Sequence, residues 1–289
     1  MSVVELDGPP NLTRLFGRAA LSALLPGDMR PHEKVLPDTV LVRPEVVVDP
    51  DHLAAYNEVC GFGLTDELPA TYPHILAFPL QIKLMSEPSF PFPVVGLVHL
   101  RNVITQRRAV RVDEAFRLQV RVENLRPHEK GRQFDFVSEV LVRGEDEPVW
   151  RDVSTYLRRG GSSSGGPKEA QLAAPAPKAI WRIPSDIGRR YAAVSGDSNP
   201  IHLYAATAKL LGFPKAIAHG MWTKAHSLAA FEGKLPAAFE LDVRFKLPVL
   251  LPAKAAFTTW STENPAGFAF ELWDARKPKP YLAGQITAL

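Results

Sequence analysis

Ser195-Gly196-Asp197-Ser198-Asn199-Pro200-Ile201-His202 is the stretch on which the reading of this chain turns. It places a carboxylate, an amide and an imidazole within six positions, with Gly196 and Pro200 setting the turn. Such a loop can aim Asp197 and His202 at one point if the chain curls back on itself. The same residues also suit an Asx-type turn, with Asp197 binding backbone amides and His202 exposed. Upstream, Ser185 can cap a short helix running through Tyr191 and Val194. Downstream, after a polar loop, Ala218-His219-Gly220-Met221 opens a longer helix from about His219 to Phe231, with Met221, Ala225 and Leu228 on one face. Unpaired N–H groups at a helix start carry partial positive charge, and Gly220 would let an oxyanion approach them. Close helix packing alone would also account for Gly220.

After Pro236 the pattern predicts four strands: Phe239 to Phe245, Ala253 to Trp260, Phe268 to Asp274 and Tyr281 to Ile286. Asn264-Pro265-Ala266-Gly267 reads as the turn between the middle two. The first half repeats the plan. A strand from Val40 to Val48 leads to a helix start at Asp51, and a long helix spans Tyr72 to Met85. Pro79 inside that helix predicts a kink or an early stop. Four strands follow, at Val94 to Val103, Glu114 to Val122, Phe134 to Val142 and Val149 to Leu157. An ungapped comparison sets Leu68-Pro69 over Phe213-Pro214, His74 over His219, Leu100 over Phe245 and Ile104 over Val249, each 145 residues apart. Tyr56 falls over Tyr191 at an offset of 135. The second half therefore carries about ten extra residues, which include the Asp197 loop, and internal duplication is the natural reading.

Gly160 to Lys178, rich in Gly, Ser, Ala and Pro, reads as a linker. The expected organisation is an extension over 1–30, a first domain over 31–159, the linker over 160–178 and a second domain over 179–289. Leu12 to Leu25 could form a basic amphipathic helix, but Glu5 and Asp7 argue against a presequence and for a helix packed on the surface.

Across 289 residues, 46% are hydrophobic and 22% charged, which suits a packed core. A net charge of +3 is too small to argue for nucleic acid. Arg107, Arg108 and Arg111 form a local basic run, either a solvated face or a contact for an acidic partner. The single cysteine, Cys60, rules out an intrachain disulfide and a cysteine zinc cluster. No apolar run reaches the ~18–20 residues of a membrane span, no secretory signal opens the chain, and the cytoplasm is the expected compartment. His202, His219 and His226 could in principle hold a metal, but no acidic or cysteine ligand accompanies them at standard spacing, so none is expected. No G-x-G-x-x-G after a strand and no Walker sequence is present, so no nicotinamide, flavin or nucleotide cofactor is implied.

Taken together, Tyr191 to His202 (YAAVSGDSNPIH) and Phe213 to Met221 (FPKAIAHGM) resemble the MaoC-like (R)-specific enoyl hydratase and 3-hydroxyacyl-thioester dehydratase family. That family's signature is G-D-x-N-P-[apolar]-H followed by A-x-x-x-H-G-[apolar]; the first run matches throughout, and in the second His219-Gly220-Met221 match while Lys215 stands at the Ala position. The layout resembles the family's double hot-dog members. The resemblance implies an α+β fold, with two curved antiparallel sheets each wrapped around a long helix. It implies Asp197 and His202 as the catalytic dyad, a Gly220 amide that polarises the thioester carbonyl, and Asn199 holding the loop or the water. It implies an acyl-CoA or acyl carrier protein thioester as substrate, and leaves pairing into a homodimer open. The first half has no Asp-x-Asn-Pro-x-His, and Ile75 stands where Gly220 stands, so that half should be inactive. A hot-dog thioesterase and a non-catalytic acyl-binding protein are the competing readings; the intact dyad favours hydration over both.

Overall fold

Alternating apolar and polar residues over the second quarter of the chain produce strands that bury one face on a helix apolar all round. The computed structural model describes residues 2–15, 35–94, 96–160 and 173–289. In the first half, β1 (Ser2–Glu5) and β2 (Thr39–Val46) precede α1 (Pro50–Cys60) and α2 (Tyr72–Met85). Strands β3 (Leu97–Gln106), β4 (Phe116–His128), β5 (Gly131–Val142) and β6 (Trp150–Arg159) follow. In α2 twelve side chains are buried, as a helix without a polar face requires. It lies against β2, β4 and β5. Asp49 caps α1 by accepting from the amides of Asp51 (3.0 Å) and His52 (3.4 Å), and Pro50 takes the first turn, where no amide is needed.

The second half contains β7 (Ala179–Ile183), α3 (Ile187–Ser195), α4 (Pro200–Leu203), α5 (Ala205–Leu210) and α6 (Gly220–Ala229). It ends with β8 (Phe239–Phe245), β9 (Ala253–Glu263), β10 (Ala266–Asp274) and β11 (Pro280–Ala288). Among the described residues one sheet has the order β1-β2-β4-β5-β6-β3-β8-β11-β10-β9-β7. Read outward from the β3–β8 seam, the two sides have the same connectivity. β3 and β8 pair antiparallel from Arg101–Arg244 to Gln106–Phe239. Arg101 closes the seam with two 2.7 Å bonds to the Asp242 carboxylate.

Several expectations need correction. Ser185 does not cap α3; Asp186 holds the cap position without a side-chain bond. Pro79 neither stops α2 nor shortens it, because packing on all sides outweighs the one lost backbone bond. The expected polar loop after α3 contains α4 and α5. The hairpin at Asn264 is tighter than expected, with Glu263 already paired to Ala266. The 145-residue offset fails in the strands: Ile104 lies within β3, whereas Val249 lies beyond the end of β8. Within the N-terminal amphipathic segment 12–15 are helical, and the rest lies outside the described residues, as does linker segment 161–172.

Candidate active site

The loop after α3 is built by short-range bonds that its sequence supplies. Gly196 ends the helix in the left-handed region at φ 73°. The Asp197 amide donates to Ser195 Oγ (3.2 Å), and Asp197 Oδ1 accepts from the Asn199 amide (3.2 Å). Asn199 caps α4 through its Oδ1, which accepts from the Ile201 amide. The Asx turn and the convergent loop are thus the same structure. His202, however, is not exposed: it keeps 8% of its accessible surface. Gly188 on α3 permits this, because a Cβ there would run into the His202 carbonyl oxygen.

Two imidazoles face Asp197. His202 Nδ1–H donates to the Ile217 carbonyl at 2.8 Å, which leaves Nε2 as an unprotonated acceptor. His219 Nε2–H donates to the Asp197 carbonyl at 3.0 Å, and its Nδ1 is buried with no protein partner. The rings stack at 3.7 Å between centroids and 26° between planes. Burial pushes both imidazoles below their ordinary range, His219 to about 3, with His202 adding to the effect; Asp197 opposes it at both. Each ring is therefore neutral at pH 7, and His202 Nε2 can accept a proton. The Asp197 side chain remains 26% exposed beside a His219 side chain at 3%, so solvent enters from the carboxylate side.

His219 precedes α6 with extended backbone and no side-chain cap, so the first amides of that helix have no partner within it. Gly220 is the first of them. A Cβ there would lie 3.1 Å from the Phe245 ring, so the helix packs closely and its start still presents free N–H groups. Asp197, His202 and His219 each offer a ligand atom within 4.8 Å of the others. His226 belongs elsewhere: its Nδ1 donates to the Cys60 carbonyl at 2.9 Å, and its ring stacks on Trp222.

These features agree with known proteins. The family model for a MaoC-like domain matches residues 167–277. The 3-hydroxyacyl-thioester dehydratase X of Mycobacterium tuberculosis is 39% identical over 97% of this chain and 99% of its own length. The chain belongs to the MaoC-like dehydratases. The crystal structure of HtdX from M. tuberculosis superposes on this MaoC-like chain with a TM-score of 0.76, covering 86% of it and all of that structure at 39% identity. A MaoC-like dehydratase from Phytophthora capsici gives 0.72 at 17% identity over 90% and 98% of the two chains. A second M. tuberculosis protein, described as a double hot-dog fold, gives 0.54 at 11% identity over 85% and 93%. The last two bear on the fold alone. This MaoC-like dehydratase is a double hot-dog.

The sequence missed three neighbours of Asp197. His219 stood out in the sequence as part of a helix start and as one of three imidazoles able to hold a metal, not as a neighbour of Asp197. The Tyr191 ring lies 5.0 Å from His219, and Tyr156 on β6 brings a phenol from the first half into the electrostatic reach of Asp197. Burial raises both phenols well above their usual range, so they stay protonated. A strand tyrosine 41 positions before the loop carries no local signal. The basic run is also resolved: Arg107 pairs with Glu147, Arg108 with Glu114 and Glu145, and Arg111 with Asp66 and Asp113. Arg189 lies over the Tyr204 ring and Arg190 approaches Glu58.

Proposed function

We propose that this chain catalyses the reversible hydration of trans-2-enoyl thioesters to (3R)-hydroxyacyl thioesters, with Asp197 and His202 as its acid–base pair. The observation that carries the reading is the fixed tautomer of His202, on a ring that offers a ligand atom within 4.8 Å of the Asp197 carboxylate. The 39% identity to a 3-hydroxyacyl-thioester dehydratase supports the same reaction class. In hydration, the pair grips one water and takes its proton as the oxygen bonds to C3. The C2–C3 π electrons move toward the thioester carbonyl, whose oxygen takes up charge against the Gly220 N–H. The proton taken from water then returns to C2. Dehydration is the reverse. Asn199 keeps the loop in its productive shape.

An acyl-CoA or acyl carrier protein thioester is the substrate class, and a further homodimer is compatible with a double hot-dog whose two units already pair. We assign the linker 160–178 as the joint between a first domain over 31–159 and a catalytic domain over 179–289. A lone buried thiol at Cys60 suits a reducing cytoplasm. No helix of the described residues is long and apolar enough to cross a membrane. The test follows loss of enoyl-thioester absorbance with crotonyl-CoA and longer enoyl-CoA, followed by chiral analysis of the product. A (3R) product is expected; a predominantly (3S) product, or hydrolysis to free CoA, would overturn the reading.

A further inference from the structure

The helix whose first amide is Gly220 is tied to the other half of the molecule by three of its own side chains. Trp222 Nε1 donates to the Val59 carbonyl at 2.9 Å, and His226 Nδ1 to Cys60 at 2.9 Å. Both acceptors lie at the end of α1. The third tie is Lys224, fully buried and one helical turn below Gly220. Its ammonium donates to the carbonyl of Asn102 (3.0 Å), to Asn102 Oδ1 and to the carbonyl of Leu241 (3.2 Å). Asn102 and Leu241 sit on the two strands of the seam, so this one side chain fixes α6 against the junction of the halves. A buried lysine is expensive unless its donors are satisfied and a counter-charge is near. Here three acceptors meet it, and the counter-charge is Asp152, one residue removed.

Asn102 is itself held in place. Its Nδ2 donates to Asp152 Oδ1 and to Ser154 Oγ, each at 2.9 Å, which turns Oδ1 toward Lys224. Asp152 is fixed by His74 Nδ1 at 2.7 Å. His74 is the residue the sequence comparison sets over His219. In the half without the Asp197 loop, that imidazole binds a buried carboxylate that no solvent reaches.

We propose that Lys224 is a positioning residue for the reaction: through the Asn102–Asp152–His74 chain, the first half sets where the Gly220 amide stands. The proposal rests on the reading of Gly220 given above. Gly220 and Lys224 belong to one turn of α6, so a shift of the Lys224 anchor moves the first amide. The Asp197 loop touches the helix start through the His219 and His202–Ile217 bonds but is held on its other side by α3 at Gly188, so the amide and the loop do not move as one body. A carbonyl oxygen gains most from a fixed donor when it becomes an oxyanion. Displacement therefore reduces turnover more than ground-state binding.

The test compares Lys224→Met and Lys224→Gln with the unmodified chain, using crotonyl-CoA and the backbone ¹⁵N–¹H resonance of Gly220. Lys224→Met is expected to lower kcat about tenfold per folded molecule, with KM within about twofold and the Gly220 resonance displaced. Lys224→Gln keeps an amide donor toward Asn102 and should recover part of the loss, to within about threefold. If Lys224→Met does not fold, Lys224→Gln carries the same comparison alone. Unchanged kcat with an unmoved Gly220 resonance in either folded variant overturns the proposal, whatever happens to the melting temperature. If the unmodified chain hydrates no enoyl thioester, the proposed function fails, and the Gly220 resonance still shows whether the anchor sets the amide.

Discussion

Each half of this molecule pairs imidazole with carboxylate, and the two arrangements differ in what surrounds them. In the first half His74 meets Asp152 at 2.7 Å, with the carboxylate at 0% exposure and further bonds from Asn102 and Ser154. His74 and Lys224 hold the Asp152 carboxyl below its ordinary range in spite of burial. In the second half Asp197 is partly open to solvent, and His202 keeps one ring nitrogen free. In the sealed pair the carboxylate accepts from His74, Asn102 and Ser154, and no solvent reaches it. The open pair has capacity left for water and substrate. Residue type does not separate the two pairs; solvent access and the bonds already made by the carboxylate do.

The sharpest way to break this comparison is to remove each carboxylate in turn. Asp152→Ala should cost about 3–5 kcal/mol of stability, the scale for breaking a buried ionic network. Urea unfolding checks it, and a loss under about 1 kcal/mol would mean that the network is not a unit. Asp197→Asn and His202→Ala should each lower turnover at least about 100-fold while shifting the urea midpoint little. Near-normal hydration by either folded variant would remove the dyad from the open site. His74→Ala belongs with Asp152: its damage should appear first in stability, not in the ionisation of the reacting groups.

A smaller effect follows from the neutral imidazoles. Burial holds His99 and His219 down to about 3, so the unfolded chain takes up protons at these rings from about pH 6.5 downward while the folded chain does not. The unfolded state then binds more protons through that window, and stability falls as pH falls through it. Urea midpoints at pH 7.5 and 5.5 should differ in that direction, and an equal or higher midpoint at pH 5.5 contradicts it. Smallest of all, Arg107→Ala breaks only an exposed pair with Glu147 and should change stability by ~0.5 kcal/mol or less. A larger change would show that the basic run has a role beyond the surface.

Much of this was readable in the chain because it is local. The Asp197 loop is set by Gly196, Asn199 and Pro200 within a few residues, and α2 and β8 begin and end where the apolar pattern places them. The extent of β4, which runs on to His128, was not readable: its last residues are only half-buried, and their pairing with β5 defines them. The fate of Pro79 was likewise a matter of packing on the helix that carries it.

By itself the sequence determined the double plan, the Asp197 loop and the helix start that faces it, since periodicity and turn chemistry act over short spans. Only the tertiary structure decided which nitrogen of His202 is free, because its acceptor, the Ile217 carbonyl, lies 15 residues away. Only the tertiary structure brought Tyr156 within electrostatic reach of Asp197, and Lys224 into bonds with Asn102, across 41 and 122 positions. Such pairs have no sequence period to betray them. They arise where the two halves of the sheet meet at a seam and buried polar groups take partners from whatever the other half presents.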